Sequence, residues 1–139
     1  MELILADSAA LNLPVGWQRL PPHELDAGSD AVRIAASDAS WIRIERERNG
    51  ARGRSYPMYR SGELPTGDSC VLSHNDGGAI WSFYEPDPDV HDHPFPFMAF
   101  ADFLTPARRW YRVIAHSKTA EQRAHTARVV TAIFFGQVK

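Results

Sequence analysis

The chain has 139 residues, 44% of them hydrophobic and 23% charged, and its formal net charge at pH 7 is −2. A chain of this length can bury a hydrophobic core without disulfides or a structural metal, so we expect a single α+β domain over residues 1–139. Its apolar runs are too short to span a bilayer, Cys70 has no second cysteine to pair with, and the N-terminus lacks the basic and apolar regions of a signal peptide. We therefore expect a cytoplasmic protein without a membrane partner.

Proline and glycine interrupt two parts of the first half of the chain. Residues 11–30 contain three prolines and two glycines, which predicts irregular structure with at most one helical turn at residues 23–26. Residues 56–59 favour a short edge strand or a bulge, because Pro57 has no backbone N–H to donate to a central strand.

Two β-hairpins are predicted from local patterns. In residues 32–34 and 41–46 apolar side chains alternate with charged ones, and small polar residues separate the two segments, which is typical of paired strands with one solvated face. Residues 70–74 and 79–84 are rich in β-branched and aromatic side chains and flank the sequence Asn-Asp-Gly-Gly, whose residues tolerate positive φ. The sequence therefore predicts a second hairpin there.

The second half of the chain predicts a stiff loop and then two helices. Residues 85–96, here called the acidic loop, contain four prolines, which restrict the backbone and remove donors. Thr105 followed by proline is a favourable helix start and predicts a first helix over residues 107–116. Thr119 opens a capping box for a second helix that Gly136 would end. We expect an α+β fold, an antiparallel sheet of about four to six strands followed by two C-terminal helices packed on one face.

Charge is strongly segregated along the chain. Residues 61–104 contain no Lys or Arg and carry a net charge of −8, whereas residues 41–60 carry +4 and residues 105–139 carry +6. Such segregation either pairs internally, for example through Arg108, Arg109 and Arg112 against the acidic loop, or presents opposite fields to partners.

The acidic loop and its aromatic neighbours indicate a protein-binding surface. Acidic side chains steer association with a basic partner, and aromatic side chains supply the desolvated contacts that dominate binding energy. We expect a small inhibitor of another protein, of the immunity protein, antitoxin or phage anti-defence type, whose partner has a basic surface or cleft. The candidate partner-binding residues are Trp81, Tyr84, Glu85, Asp87, Asp89, Asp92 and Phe95.

A metal-dependent enzyme is the first alternative. His91 and His93 are two residues apart, so on an extended chain they point to the same side and can share one ion, with Asp89 as an oxygen ligand. A complete ligand set is not visible in the sequence. We therefore expect neither a bound metal nor a cofactor.

Other chemistries find little support in the residue pattern. Cys70 and His74 on one strand would be about 13 Å apart, too far for direct proton transfer, and no phosphate-binding glycine loop is present. We therefore expect a binding protein and not an enzyme.

The arginine-rich residues 43–60, with Tyr56 and Tyr59 interleaved, resemble an RNA-facing segment in composition and form the second alternative. The acidic residues 61–104 oppose a polyanion, so nucleic acid is not the expected partner.

Overall fold

The computed structural model describes residues 2–5, 10–47, 69–74, 77–84, 86, 89, 92–105 and 107–135. Within these ranges the elements, in chain order, are β1 (Glu2–Ile4), β2 (Ala10–Asn12), β3 (Gln18–Arg19), a 3-10 turn (Glu24–Asp26), β4 (Val32–Ala35), β5 (Trp41–Arg46), β6 (Ser69–His74), β7 (Gly77–Tyr84), β8 (Phe97–Leu104), β9 (Trp110–Ser117) and α1 (Ala120–Phe135). The 3-10 turn agrees with the single helical turn predicted in residues 11–30, but the prediction of otherwise irregular structure there is wrong at β2 and β3. The strand predicted at residues 56–59 lies outside the described residues.

The main sheet is antiparallel throughout, in the order β3-β4-β5-β9-β8-β7-β6. It has six strands of four to eight residues and a two-residue edge strand, β3, while β1 and β2 form a separate pair. The predicted α+β architecture with an antiparallel sheet is confirmed. At the centre of the sheet, β9 pairs with β5, a strand from much earlier in the sequence, and with β8. β9 therefore joins the first hairpin to the later strands.

Both predicted hairpins are present. β4 pairs with β5 through Ile34 opposite Ile42, and the connection is closed by the Ala36 N–H donating to the Ser40 carbonyl at 2.8 Å. β6 pairs with β7, and the final pair is His74 opposite Gly77. The two glycines of the predicted turn therefore belong to β7, and its Asn-Asp pair lies outside the described residues.

The helix predicted at residues 107–116 is wrong, because this segment forms a turn and then β9. The Arg108 N–H donates to the Thr105 carbonyl and the Thr105 N–H donates to the Arg109 carbonyl, both at 2.9 Å. Arg108 has φ 64°, a left-handed conformation that cannot continue a helix. Along β9 every second residue is buried, beginning at Tyr111, so the segment follows the period of a strand. The C-terminal part of the chain therefore has one helix in the described residues, not two.

The predicted start of α1 is confirmed. The Gln122 N–H donates to Thr119 Oγ1 at 3.1 Å, and the Gln122 side chain accepts from the Lys118 N–H at 3.2 Å, which satisfies backbone donors at the helix start. The predicted stop at Gly136 lies outside the described residues. No helix in the described ranges is long and apolar enough to cross a membrane.

One face of the sheet packs against α1 and forms the core. The Phe134 ring stacks on Phe103 with centroids 4.4 Å apart and also contacts Tyr111. The indole N–H of Trp81 donates to Thr131 Oγ1 at 2.9 Å. Because side chains alternate across a strand, the intervening residues belong to the other side of the sheet, here called the distal face.

Candidate functional site

A column of stacked side chains crosses the distal face. Trp41 on β5 is paired with His116 on β9, and their rings stack with centroids 4.2 Å apart and planes 14° apart. The His93 ring stacks on the other side of His116 at 5.7 Å. At the opposite end the Arg33 guanidinium carbon lies 5.1 Å from the Trp41 ring centroid, within the range of a cation–π contact.

The end of the acidic loop is attached to this column. The Phe95 N–H donates to His93 Nδ1 at 3.0 Å, and the Phe95 carbonyl accepts from His116 Nδ1 at 3.4 Å. The Lys118 ammonium lies 5.6 Å from the Phe95 ring centroid. These contacts fix residues 93–95 against β9.

Burial shapes the electrostatics of the column. It lowers the pKa of His116 below the ordinary value of 6.5, and the charges of His93 and Arg33 act in the same direction, while the hydrogen bond with Phe95 opposes them. The neutral imidazole is therefore favoured in the folded protein, which suits its place in a stack that also contains a guanidinium.

A groove of about 460 Å³ adjoins the column. Its walls come from the segment after β3, from β4 and its turn, from β5 and from the acidic loop. The lining residues are Leu20, Pro21, His23, Arg33, Ala35, Ala39, Trp41 and Phe95. Most of these side chains are apolar, and a concave apolar surface with a few polar groups is typical of a binding site.

A partly buried ion-pair network supports one side of the groove. Asp26 accepts from Arg33 Nε at 2.7 Å and from Arg43 Nε at 2.9 Å, and Arg43 also pairs with Glu45 at 3.3 Å. The hydrogen bond from Arg33 lowers the pKa of Asp26 from 3.8 to about 2, against the opposing effect of burial. Asp26 is thus held as a carboxylate between two guanidinium groups.

The end of β7, directly before the acidic loop, is attached to α1. Arg123 Nη1 donates to the Tyr84 carbonyl at 2.7 Å, and the same guanidinium lies between Phe83 and Phe97, at 5.2 and 5.4 Å from their ring centroids. Arg123 is buried whereas the Tyr84 side chain is 48% exposed. The residue before the acidic loop is therefore fixed by α1, and residues 93–95 at its end are fixed by β9.

The predicted partner-binding residues divide into three groups. Tyr84, Asp89 and Asp92 are exposed and Phe95 is half-buried in the groove wall. Trp81, expected from the sequence at the surface, is a core residue with 0% exposure because α1 covers it. Glu85 and Asp87 lie outside the described residues.

The basic residues considered as internal partners of the acidic loop lie elsewhere. Arg108 and Arg109 follow β8, whereas the acidic loop precedes it, and eight strand residues span roughly 25 Å. Arg112 lies 3.6 Å from both Glu47 and Asp102. Internal pairing with the acidic loop, one of the two alternatives left open by the charge pattern, therefore has a closer competitor for Arg112 in Glu47 and Asp102.

The alternative metal ligands are not assembled in the described part of the chain. His91 lies outside it, and no group of three or more His, Cys, Asp or Glu residues within it could hold a metal ion. His93 uses Nδ1 as an acceptor for the Phe95 N–H, so that nitrogen has a structural role here.

Comparison with known proteins gives no relative: no family model, curated protein or solved structure matches the chain. The function of the chain is therefore inferred from the geometry and chemistry of its own residues.

Sequence reasoning missed the groove and the stacked column. His116 was assigned to a helix, which separated it from Trp41. The sequence does not show the alternation of β9 clearly, because Trp110 and Ile114 on one face are as apolar as Tyr111 and Val113 on the other. Arg33 and Trp41 were correctly placed on paired strands, but their contact with residues after β3 depends on long-range packing.

Proposed function

We propose that this protein is a binding module that inhibits another protein through the acidic loop and Tyr84. The observation that carries the proposal is the fixing of the two residues that flank most of the loop, Tyr84 by Arg123 and Phe95 by His116. Residues that are already fixed lose less conformational entropy when a partner binds, so more of the contact energy becomes affinity.

The exposed groups on this surface fit a basic partner. Asp89 and Asp92 carry negative charge and are exposed, so they would accelerate encounter with a lysine- or arginine-rich cleft. Tyr84 supplies an exposed aromatic ring at the start of the same loop, and tyrosine is among the residues that most often dominate binding energy.

The arginine-rich alternative gains no support from residues 43–47, the part of it that the structure describes. Arg43, the first residue of the 43–60 segment, already donates to Asp26 and Glu45, which leaves its guanidinium fewer donors for phosphate. Residues 48–60 lie outside the described ranges. The protein-binding proposal therefore stands ahead of RNA binding.

Site-specific photo-crosslinking in cells that encode the chain tests the proposal. A benzophenone amino acid at Tyr84 should give one discrete adduct with another protein. The matched control is the same amino acid at His125, an exposed position on α1, on the other side of the sheet. Changing Asp89 and Asp92 to Asn should weaken the Tyr84 adduct. No adduct from Tyr84, or the same adduct from both positions, would overturn the proposal.

A further inference from the structure

The groove contains space beside an indole ring because its neighbours are small. Trp41 lies directly opposite Ala35 across the β4–β5 ladder, and Ala39 from the connecting turn also lines the groove. The methyl side chains of Ala35 and Ala39 leave room beside the indole. Leu20, Pro21 and Phe95 also line this space. A volume of about 460 Å³ falls within the range of small-molecule sites, and these walls suit a flat apolar group.

Two side chains in the lining can donate hydrogen bonds. His23 accepts the Leu25 N–H at Nδ1, 3.0 Å away, so its neutral ring carries the proton on Nε2. Arg33 uses Nε and Nη2 for Asp26, at 2.7 and 3.4 Å, and within the described part of the chain its Nη1 makes no hydrogen bond. A guanidinium has five N–H donors, so Arg33 retains donors for a further acceptor.

The charge around Arg33 favours an anionic acceptor. One carboxylate, Asp26, is shared by two guanidinium groups, Arg33 and Arg43, and Lys118 adds a positive charge beside Phe95 at the groove wall. Glu45 offsets part of this charge through its pair with Arg43. A ligand carboxylate at Arg33 would gain charge-assisted hydrogen bonds, which are stronger than neutral ones.

We propose that the groove is a binding site for a small aromatic carboxylate, with the ring over Ala35 beside Trp41 and the carboxylate at Arg33 and His23. This site is separate from the protein contact made by Tyr84, Asp89 and Asp92. Protein binding at Tyr84 can therefore fail while carboxylate binding in the groove persists, and the reverse. A carboxylate bound in the groove would lie against Phe95, at the end of the acidic loop.

Titration of the isotope-labelled full chain with phenylacetate, followed by NMR, tests the site. The Trp41 indole N–H and the Arg33 Nε–H should shift saturably. Phenylacetamide, which keeps the ring and removes the charge, should bind about tenfold more weakly, and cyclohexylacetate should bind more weakly than phenylacetate because it has no flat ring. Both comparisons use the unaltered protein, so they do not depend on the folding of a variant.

A matched pair of variants locates the site. Ala35→Leu fills the space beside Trp41 and should abolish the shifts, whereas Ala132→Leu, at an exposed position on α1, should leave them unchanged. The Ala35→Leu protein should still give the Tyr84 crosslink. Absence of a saturable shift, equal binding of phenylacetate and phenylacetamide, or full binding by a folded Ala35→Leu protein would each overturn the proposal.

Discussion

Asp26 is the residue on which the position of two arginines depends. Its carboxylate is 8% exposed and accepts from Arg33 and Arg43. Replacing it with Asn removes the carboxylate that Arg33 bonds and leaves Arg43 with Glu45 alone, so we expect Asp26→Asn to lower the free energy of unfolding by about 1 to 3 kcal/mol. Urea denaturation measures this loss, and Glu24→Gln, at an exposed position in the same 3-10 turn, should change little.

The same substitution has a defined pH dependence. The pKa of Asp26 is lowered from 3.8 to about 2 in the folded protein, so its contribution is fully present above the unfolded value and is lost as pH falls toward the folded value. The stability difference between the native protein and Asp26→Asn should therefore shrink between pH 4 and pH 2. A difference that stays constant over this interval would show that the carboxylate charge is not the stabilising group.

His116 should make the protein less stable in mild acid. Burial lowers its pKa below the ordinary value of 6.5, so the unfolded chain binds a proton at a pH where the folded protein does not. The contribution of His116 to stability is therefore most favourable above pH 6.5 and decreases as pH falls below it. His116→Phe keeps a ring against Trp41 and removes the titration, so urea midpoints measured from pH 7.5 to 5.5 should vary less for the variant. An unchanged pH slope would contradict this assignment.

At the scale of elements, local patterns predicted the hairpins and failed at β9. The strands of each hairpin are adjacent in sequence, so the apolar alternation and turn residues specify the pairing directly. β9 instead pairs with β5 from much earlier in the chain. Trp110, Val113 and Ile114 also fit a helical spacing, and only their long-range contacts with β5 and β8 select the strand. The error matters for function because it separated His116 from Trp41.

The candidate site was partly predictable for the same reason. Tyr84, Asp89, Asp92 and Phe95 follow one another closely in sequence, so composition alone singled out the loop. The groove is formed by four separate parts of the chain. A local sequence pattern cannot predict that these parts come together. Trp81 was misplaced because an aromatic residue in a strand can face either side, and only the position of α1 decides which side is core.

Arg123 connects two elements, and its removal should loosen the acidic loop. Its guanidinium donates to the Tyr84 carbonyl and lies between Phe83 and Phe97. We expect Arg123→Met, which retains an unbranched apolar chain, to lower the free energy of unfolding by about 1 to 3 kcal/mol because the carbonyl loses its donor. Amide exchange at Tyr84 should also become faster.

Arg128→Met is the control, since Arg128 is exposed on the same helix. It should leave both the unfolding free energy and the exchange at Tyr84 nearly unchanged. If Arg123→Met and Arg128→Met behave alike, the contact between α1 and the loop does not order the loop.

At the scale of the whole molecule, the sheet separates charge along its strands. The exposed acids Asp89 and Asp92 lie before β8, and the exposed bases Arg108 and Arg109 lie after it. The two groups are therefore at opposite ends of a strand that spans roughly 25 Å, well beyond the screening length of about 8 Å at physiological ionic strength. If Asp89 and Asp92 steer the proposed basic partner, the arginines after β8 are too far away to oppose them strongly.

Neutralising the acidic loop tests this arrangement directly. Glu85→Gln combined with Asp87→Asn, Asp89→Asn and Asp92→Asn should change the free energy of unfolding by no more than about 0.5 kcal/mol, because surface charges contribute little to stability. Association with the partner captured by the Tyr84 crosslink should slow several-fold, most clearly at low salt, since steering charges act mainly on the encounter rate. Stopped-flow kinetics at several salt concentrations measures this change.

The control for that experiment is the pair Arg108→Gln and Arg109→Gln at the other end of the sheet. These changes should leave the association rate unchanged or slightly increased, because they remove charge of the same sign as the partner. If the loop variant instead loses stability while its association rate is unchanged, the acidic residues clamp the fold and the inhibitor proposal fails. The two measurements separate these roles because one reports the isolated chain and the other reports its encounter with a partner.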